Sequence, residues 1–167
     1  LTAGCASFMA ATFVFSAGFS KTAFADEADK TTLVYGSTDY TRINPAMDEH
    51  CEINVLLFDG LTDHDGDNQI IPRLAKSWEY DEENLTYTFH LEEGVKWHDG
   101  EPFTAEDVKF TFEAIMDPAN ESENAPDYED IESIEVIDEH TVAFHLSNVN
   151  TAFLEYMTRP VMPKHLL

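Results

Sequence analysis

The chain has 167 residues, which is enough for one domain or part of a larger protein and too few for two full lobes around a cleft. It carries 9 Lys and Arg against 33 Asp and Glu, a formal net charge of -24. A field of this sign repels phosphate backbones, so nucleic acid is excluded as a partner. Hydrophobic residues make up 43% and aromatic residues 12%, so the chain has enough apolar surface to fold.

The first 25 residues have the order of a secretory signal. Residues 1–19 are uncharged and rich in Phe, and Ala23-Phe24-Ala25 precedes the acidic Asp26. This order predicts a signal peptide over 1–25, truncated at its start and cleaved after Ala25, and therefore an exported protein. Two alternatives stay open: an N-terminal membrane anchor of about 19 residues, and a lipoprotein, because Leu1 to Cys5 is similar to a lipobox.

Cleavage after Ala25 leaves Cys51 as the single cysteine of the mature chain. One thiol cannot form an internal disulfide, so the fold must depend on its core or on parts of the protein outside this sequence. We expect Cys51 to be a small buried hydrophobic residue.

The first half of the chain predicts a strand, a helix and a hairpin, in that order. Thr32–Tyr35 has strand composition, and apolar residues at helical spacing predict a helix from about Glu49 to Phe58. Asp63–Asn68 is a tight polar connection. A segment from Ile70 to Tyr80 and a strict apolar alternation over residues 86–91 then predict an antiparallel hairpin with one wet face.

The second half predicts a capped helix, a loop, a second hairpin and a short helix. Thr104 is the expected N-cap, and Asp117-Pro118 the expected stop, of a helix that buries Val108, Phe112 and Ile115. We expect Ala119 to Asp130 to form a loop. The remaining predictions are strands over Ile131–Val136 and Thr141–Leu146, and a short helix within residues 152–157. The fold class is α+β, with antiparallel hairpins and two or three helices.

No motif predicts a metal or a cofactor. Asp63, Asp65 and Asp67 have the spacing of the first three ligands of a calcium loop, but Asn68 replaces the turn glycine and Leu74 the final Glu. A solvated turn is therefore favoured. His50-Cys51 and His98-Asp99 could be fragments of a metal site, but neither has a second pair at ligand spacing.

The sequence also lacks recognisable catalytic machinery, so we predict that the protein is not an enzyme. It has no Gly-rich phosphate loop, nucleophile elbow or HExxH helix. Arg159 is a better candidate for ligand binding, because it is one of few cations and lies between Met157 and Val161. A guanidinium in such surroundings suits a ligand carboxylate. A structural ion pair is the alternative.

Six segments, taken together and in order, resemble the peptide/nickel (family 5) solute-binding proteins of ABC importers. They are Leu57–Thr62, Ile71–Glu79, Leu85–Leu91, Gly94–Gly100, Pro102–Phe110 and Arg159–Leu167. Glu92 departs from the family, which usually has Arg there. Family members are much longer and close two lobes around a ligand. The resemblance thus implies that residues 26–167 are an incomplete N-terminal lobe, with a packed subdomain, of a two-lobed periplasmic-binding-protein fold.

The resemblance also implies a function without chemistry. The protein would capture oligopeptides outside the cytoplasmic membrane, in the periplasm or at the cell surface, and deliver them to an ABC permease in the membrane, as a monomer when full length. Ligand contacts would come from Met47, Asp48, Glu49, His50 and Arg159. A nickel-chelate or other small-solute binding protein of the same family is one alternative. A free-standing acidic hydrolase or adhesin module is an alternative from a different class.

Overall fold

The computed structural model describes residues 44–46 and 54–167, with only the backbone of Val55. Predictions on the remaining residues therefore lie outside the described part: the signal over 1–25, the strand Thr32–Tyr35, the environment of Cys51 and the ligand contacts of residues 47–50. The described residues form an α+β fold, as the sequence predicts, with antiparallel strands and three α-helices.

The first described elements are a short helix and a two-stranded sheet. Helix α1 is Asn54–Leu57 and ends one residue before the predicted Phe58, while residues 49–53 lie outside the described part. Strands β1 (Thr62–His64) and β2 (Ile70–Pro72) pair antiparallel. The predicted polar connection is shorter than expected, because Asp63 and His64 belong to β1.

The turn between β1 and β2 is closed by one carboxylate. Oδ1 of Asp65 accepts the backbone N–H groups of Asp67 and Gln69, both at 2.9 Å. Asp side chains favour such turns because they replace backbone hydrogen-bond partners locally. The middle one of the three alternating acids, Asp65, therefore has a structural use in this turn.

Both predicted hairpins are present and form a single sheet. Strands β3 (Ala75–Asp81) and β4 (Thr86–Leu91) make the first hairpin, and β5 (Ile131–Asp138) and β6 (Thr141–Leu146) the second. Strands β4 and β6 also pair, so the order is β3-β4-β6-β5 with antiparallel neighbours throughout. This central pairing joins segments about fifty residues apart in sequence and was not predicted.

Helix α2 (Ala105–Met116) covers one face of this sheet. Its predicted inner face, Val108, Phe112 and Ile115, is fully buried. The alternation on β4 is confirmed as well, because Tyr87, Phe89 and Leu91 are buried. Phe112 and Phe144 meet edge to face, with centroids 5.2 Å apart and an interplanar angle of 89°. This geometry is favourable for aromatic pairs, and it fixes the helix on the sheet.

The stretch between α2 and β5 is more ordered than predicted. Helix α2 stops before Asp117-Pro118 as expected, but the predicted loop contains 3-10 turns at Pro118–Asn120 and Ala125–Tyr128. The predicted short helix is confirmed as α3 (Phe153–Tyr156), and a last 3-10 turn covers Lys164–Leu166. None of the helices in residues 44–46 and 54–167 has the length and apolar character needed to cross a membrane.

Candidate ligand-binding site

Arg159 lies in a turn after α3 that runs beside the chain between α1 and β1. The carbonyl oxygen of Met157 accepts the backbone N–H groups of Leu61 at 2.9 Å and Thr62 at 3.2 Å. Two residues after Arg159, the N–H of Val161 donates to the carbonyl of Asp59 at 2.9 Å. Backbone contacts thus hold the turn on both sides of Arg159. Its side chain is half-buried.

Gly60 permits this close approach of the two backbones. A Cβ atom at Gly60 would lie 2.5 Å from the carbonyl oxygen of Thr158, which is backbone and cannot rotate away. Glycine is therefore required here by space and not by an unusual backbone conformation.

A buried tyrosine supports the other side of the turn. Tyr128 is 1% exposed, and its hydroxyl donates to the carbonyl of Tyr156 at 2.8 Å. The same carbonyl accepts the backbone N–H of Arg159 at 3.3 Å. Burial raises the pKa of Tyr128 to about 12, and the positive charge of nearby Arg159 partly opposes this rise.

Arg159 differs from most other cations of the described chain in its partners. Of the Lys and Arg residues in 54–167, four lie within 4.0 Å of a carboxylate: Arg73 with Asp59, Lys76 with Glu93, Lys109 with Glu113, and Lys164 with Glu106. Arg159 and the exposed Lys96 have no such carboxylate among the described residues. Within this part of the chain, the alternative of a structural ion pair at Arg159 is therefore not realised.

Met47, Asp48, Glu49 and His50 lie outside the described residues, so their contact with a ligand stays a prediction. The residue before them, Ala46, is held in place. It is 2% exposed, and its carbonyl accepts a hydrogen bond from the hydroxyl of Ser122. Ser122 belongs to the same connection between α2 and β5 as Tyr128. This connection therefore touches both the start of the predicted loop and the turn that carries Arg159.

The buried carboxylate of Asp107 connects the start of α2 to a later part of the chain. Oδ2 of Asp107 accepts the backbone N–H of Thr104 at 2.9 Å, which confirms Thr104 as the N-cap. The other oxygen accepts the backbone N–H of Lys164 at 2.9 Å. Asp107 thus ties the helix start to the last described turn. No local pattern in the sequence indicates the bond between Asp107 and Lys164, which are 57 residues apart.

The pair His98-Asp99 does not form a metal site in the described region. Asp99 instead lies 2.7 Å from Nε2 of His165. Hydrogen bonding between the two side chains raises the pKa of His165 and lowers that of Asp99. In residues 44–46 and 54–167, no three His, Cys, Asp or Glu side chains cluster as metal ligands would.

Residues 69–165, more than half of the chain, match the family of bacterial extracellular solute-binding proteins, family 5 Middle. The chain belongs to this family. The predicted resemblance is confirmed.

Known proteins and solved structures are similar to well over half of the chain. The di/tripeptide-binding protein 1 of Pseudomonas aeruginosa is 37% identical over 122 residues, which cover 62% of this chain and 23% of that protein. The structure of NikZ from Campylobacter jejuni in complex with Ni(L-His) has 40% identity and a TM-score of 0.75, covering 78% of this chain and 27% of the other. OppA of Haemophilus influenzae, in complex with the peptide RPPGFSPFR, has 28% identity and a TM-score of 0.67, covering 73% and 28%. The chain thus spans about a quarter of the length of these family 5 proteins.

Proposed function

We propose that the protein is the substrate-binding component of an ABC importer and that it captures oligopeptides outside the cytoplasmic membrane. The observation that carries this proposal is the family 5 match over residues 69–165, together with relatives named for peptide binding. Its partners are a peptide and an ABC permease, and the protein acts as a monomer without catalysing a reaction. Residues 1–25 serve as the export signal, and residues 26–167 belong to the N-terminal lobe.

Arg159 is the proposed anchor for the ligand. A half-buried guanidinium with no carboxylate within 4.0 Å in the described residues can donate two parallel hydrogen bonds to a ligand carboxylate. Such a contact is stronger than at a fully hydrated surface because part of the surrounding water is already excluded. Met47, Asp48, Glu49 and His50 complete the proposed site.

Ligand protection against thermal unfolding tests the proposal on the full natural protein. Ligands that bind only the folded state raise the midpoint in proportion to the logarithm of their concentration. We expect a mixture of dipeptides and tripeptides to raise the midpoint and Arg159→Gln to reduce the rise. Lys96→Gln is the matched control, since it removes an exposed cation that also lacks a carboxylate in the described chain. Hydrolysis of the peptides would instead favour the alternative function, a free-standing acidic hydrolase.

A nickel chelate is the second candidate ligand. The observation that favours it is the similarity to NikZ, whose structure contains Ni(L-His) and which has 40% identity to this chain. In the same unfolding experiment, protection by nickel with histidine and not by peptides would support this candidate. Protection by peptides alone would support the first.

A further inference from the structure

We propose that Tyr128 is a positioning residue, whose hydroxyl fixes the turn that carries Arg159 and so holds the guanidinium where it can take up a ligand carboxylate. This inference rests on the proposed function, because it assigns Tyr128 a role in the same site. The sequence predicts only a loop at Tyr128 and assigns its hydroxyl no role.

The contact between Tyr128 and the turn is specific. The carbonyl of Tyr156 accepts two hydrogen bonds, one from the Tyr128 hydroxyl at 2.8 Å and one from the Arg159 backbone N–H at 3.3 Å. The Tyr128 hydroxyl and the backbone N–H of Arg159 therefore share one acceptor, the carbonyl of Tyr156. Because that acceptor is a backbone atom, the hydroxyl constrains the direction in which the chain leaves α3.

The ring of Tyr128 is itself immobilised, so it can act as a fixed support. It packs edge to face on Phe112 of α2 at 5.2 Å and on Tyr156 at 6.0 Å, and it is 1% exposed. The contact with Phe112 links the turn to the sheet core, because Phe112 also packs on Phe144. A ligand-binding side chain gains affinity when its support is ordered before the ligand arrives.

The hydroxyl remains a donor over the whole physiological pH range. Burial raises the pKa of Tyr128 to about 12, so the neutral form persists. Because the Tyr128 hydroxyl keeps its proton at acidic and neutral pH, it supports Arg159 equally in both. This suits a protein exposed to the external medium.

The test compares Tyr128→Phe with Tyr80→Phe in the full natural protein. Tyr128→Phe keeps the buried ring and removes only the hydroxyl. Tyr80→Phe is the matched control, because Tyr80 is on β3 and its ring stacks on Tyr87. The probes are trialanine and its C-terminal amide, and the readout is the ratio of their affinities. A merely structural defect would weaken both probes and leave this ratio unchanged.

We expect Tyr128→Phe to lower the carboxylate-to-amide affinity ratio about five-fold, and to have no further effect in an Arg159→Gln background. If Arg159→Gln lowers the ratio and Tyr128→Phe does not, the inference is overturned while the proposed function stands. If Arg159→Gln also leaves the ratio unchanged, the proposed anchor fails and the inference fails with it.

Amide hydrogen exchange in the ligand-free protein decides the inference if trialanine does not bind. Loss of the hydroxyl should speed exchange at the Arg159 amide at least about three-fold, while the amide of Val161, bonded to Asp59, stays unchanged. Exchange at Arg159 equal to that of Tyr80→Phe would overturn the inference.

Discussion

Gly60 and Thr158 show how one residue without a side chain determines the position of the candidate site. The backbone of Gly60 lies against the carbonyl of Thr158, next to Arg159, at a distance that leaves no space for a Cβ atom. Gly66 has nothing within 4 Å of the equivalent position. The two glycines of the same region are thus under different constraints.

We predict that Gly60→Ala destabilises the protein by about 2 kcal/mol or more, because either the turn or the α1 to β1 segment must move. Gly66→Ala, as control, should change the free energy of unfolding by less than about 0.5 kcal/mol, since it is open to solvent and has an ordinary φ. Urea denaturation of both variants measures the difference. Equal free energies of unfolding for Gly60→Ala and Gly66→Ala would show that the close approach of Gly60 to Thr158 does not require glycine.

The ion pair between Asp99 and His165 makes a prediction about pH. The pKa of His165 is raised above its usual 6.5, so its contribution is fully present below pH 6.5 and is lost as the pH rises through the folded pKa. The pKa of Asp99 is lowered from 3.8, so its contribution is present above pH 3.8 and is lost as the pH falls through the folded pKa. The pair therefore stabilises most between these two values.

NMR titration of the His165 ring checks this assignment. We expect a pKa above 6.5 that returns toward 6.5 in Asp99→Asn and stays raised in Glu92→Gln, an exposed control. The assignment would be contradicted by a His165 pKa that is the same with and without the Asp99 carboxylate.

At the scale of elements, the local sequence predicts those helices and strands whose boundaries and buried faces depend on neighbouring residues. Helix α2 has a cap, an apolar stripe and a Pro stop within its own sequence, and its predicted start, face and end are all confirmed. The pairing of β4 with β6 depends on two segments about fifty residues apart, which no local pattern encodes. The 3-10 turns after α2 were missed because their residues also suit loops.

The 3-10 turn at Pro118–Asn120 ends on a strained residue. Glu121 follows it in the left-handed conformation, with φ of 49° and ψ of 41°, and is exposed. This conformation costs a non-glycine residue about 1 kcal/mol. Glu121→Gly should therefore stabilise the protein by about 0.5 kcal/mol.

Glu123→Gly is the charge-matched control for this change. Glu123 is exposed in the same connection and lacks a positive φ, so glycine there only adds disorder to the unfolded chain. Thermal unfolding should move upward for the first variant and downward for the second. A downward shift for both would contradict the strain at Glu121.

At the scale of the whole molecule, net charge dominates over individual ion pairs. The formal charge of -24 means that like charges repel across the surface, whereas exposed ion pairs contribute only about 0–1 kcal/mol each. Salt weakens both effects, but the repulsion involves many more pairs. We predict that the unfolding midpoint rises between about 20 mM and about 200 mM NaCl. KCl should give the same rise, and a fall in either salt would contradict the dominance of repulsion.

The sequence nominates Arg159 because a cation between apolar neighbours is rare in so acidic a chain. Its half-buried position agrees with such surroundings, and its part in ligand binding stays a prediction. Tyr128 was missed because its use depends on the carbonyl of Tyr156, a contact made only in the folded chain. The group Met47 to His50 stays a prediction.

Peptide capture by the whole protein is the central claim, and native mass spectrometry tests it most directly. The full natural protein would be mixed with an equimolar pool of short peptides and with nickel and histidine, and the bound species weighed. The account predicts an intact peptide in a one-to-one complex, retained in Lys96→Gln and depleted in Arg159→Gln. A protein that binds no peptide, or that releases cleaved peptides, would contradict it.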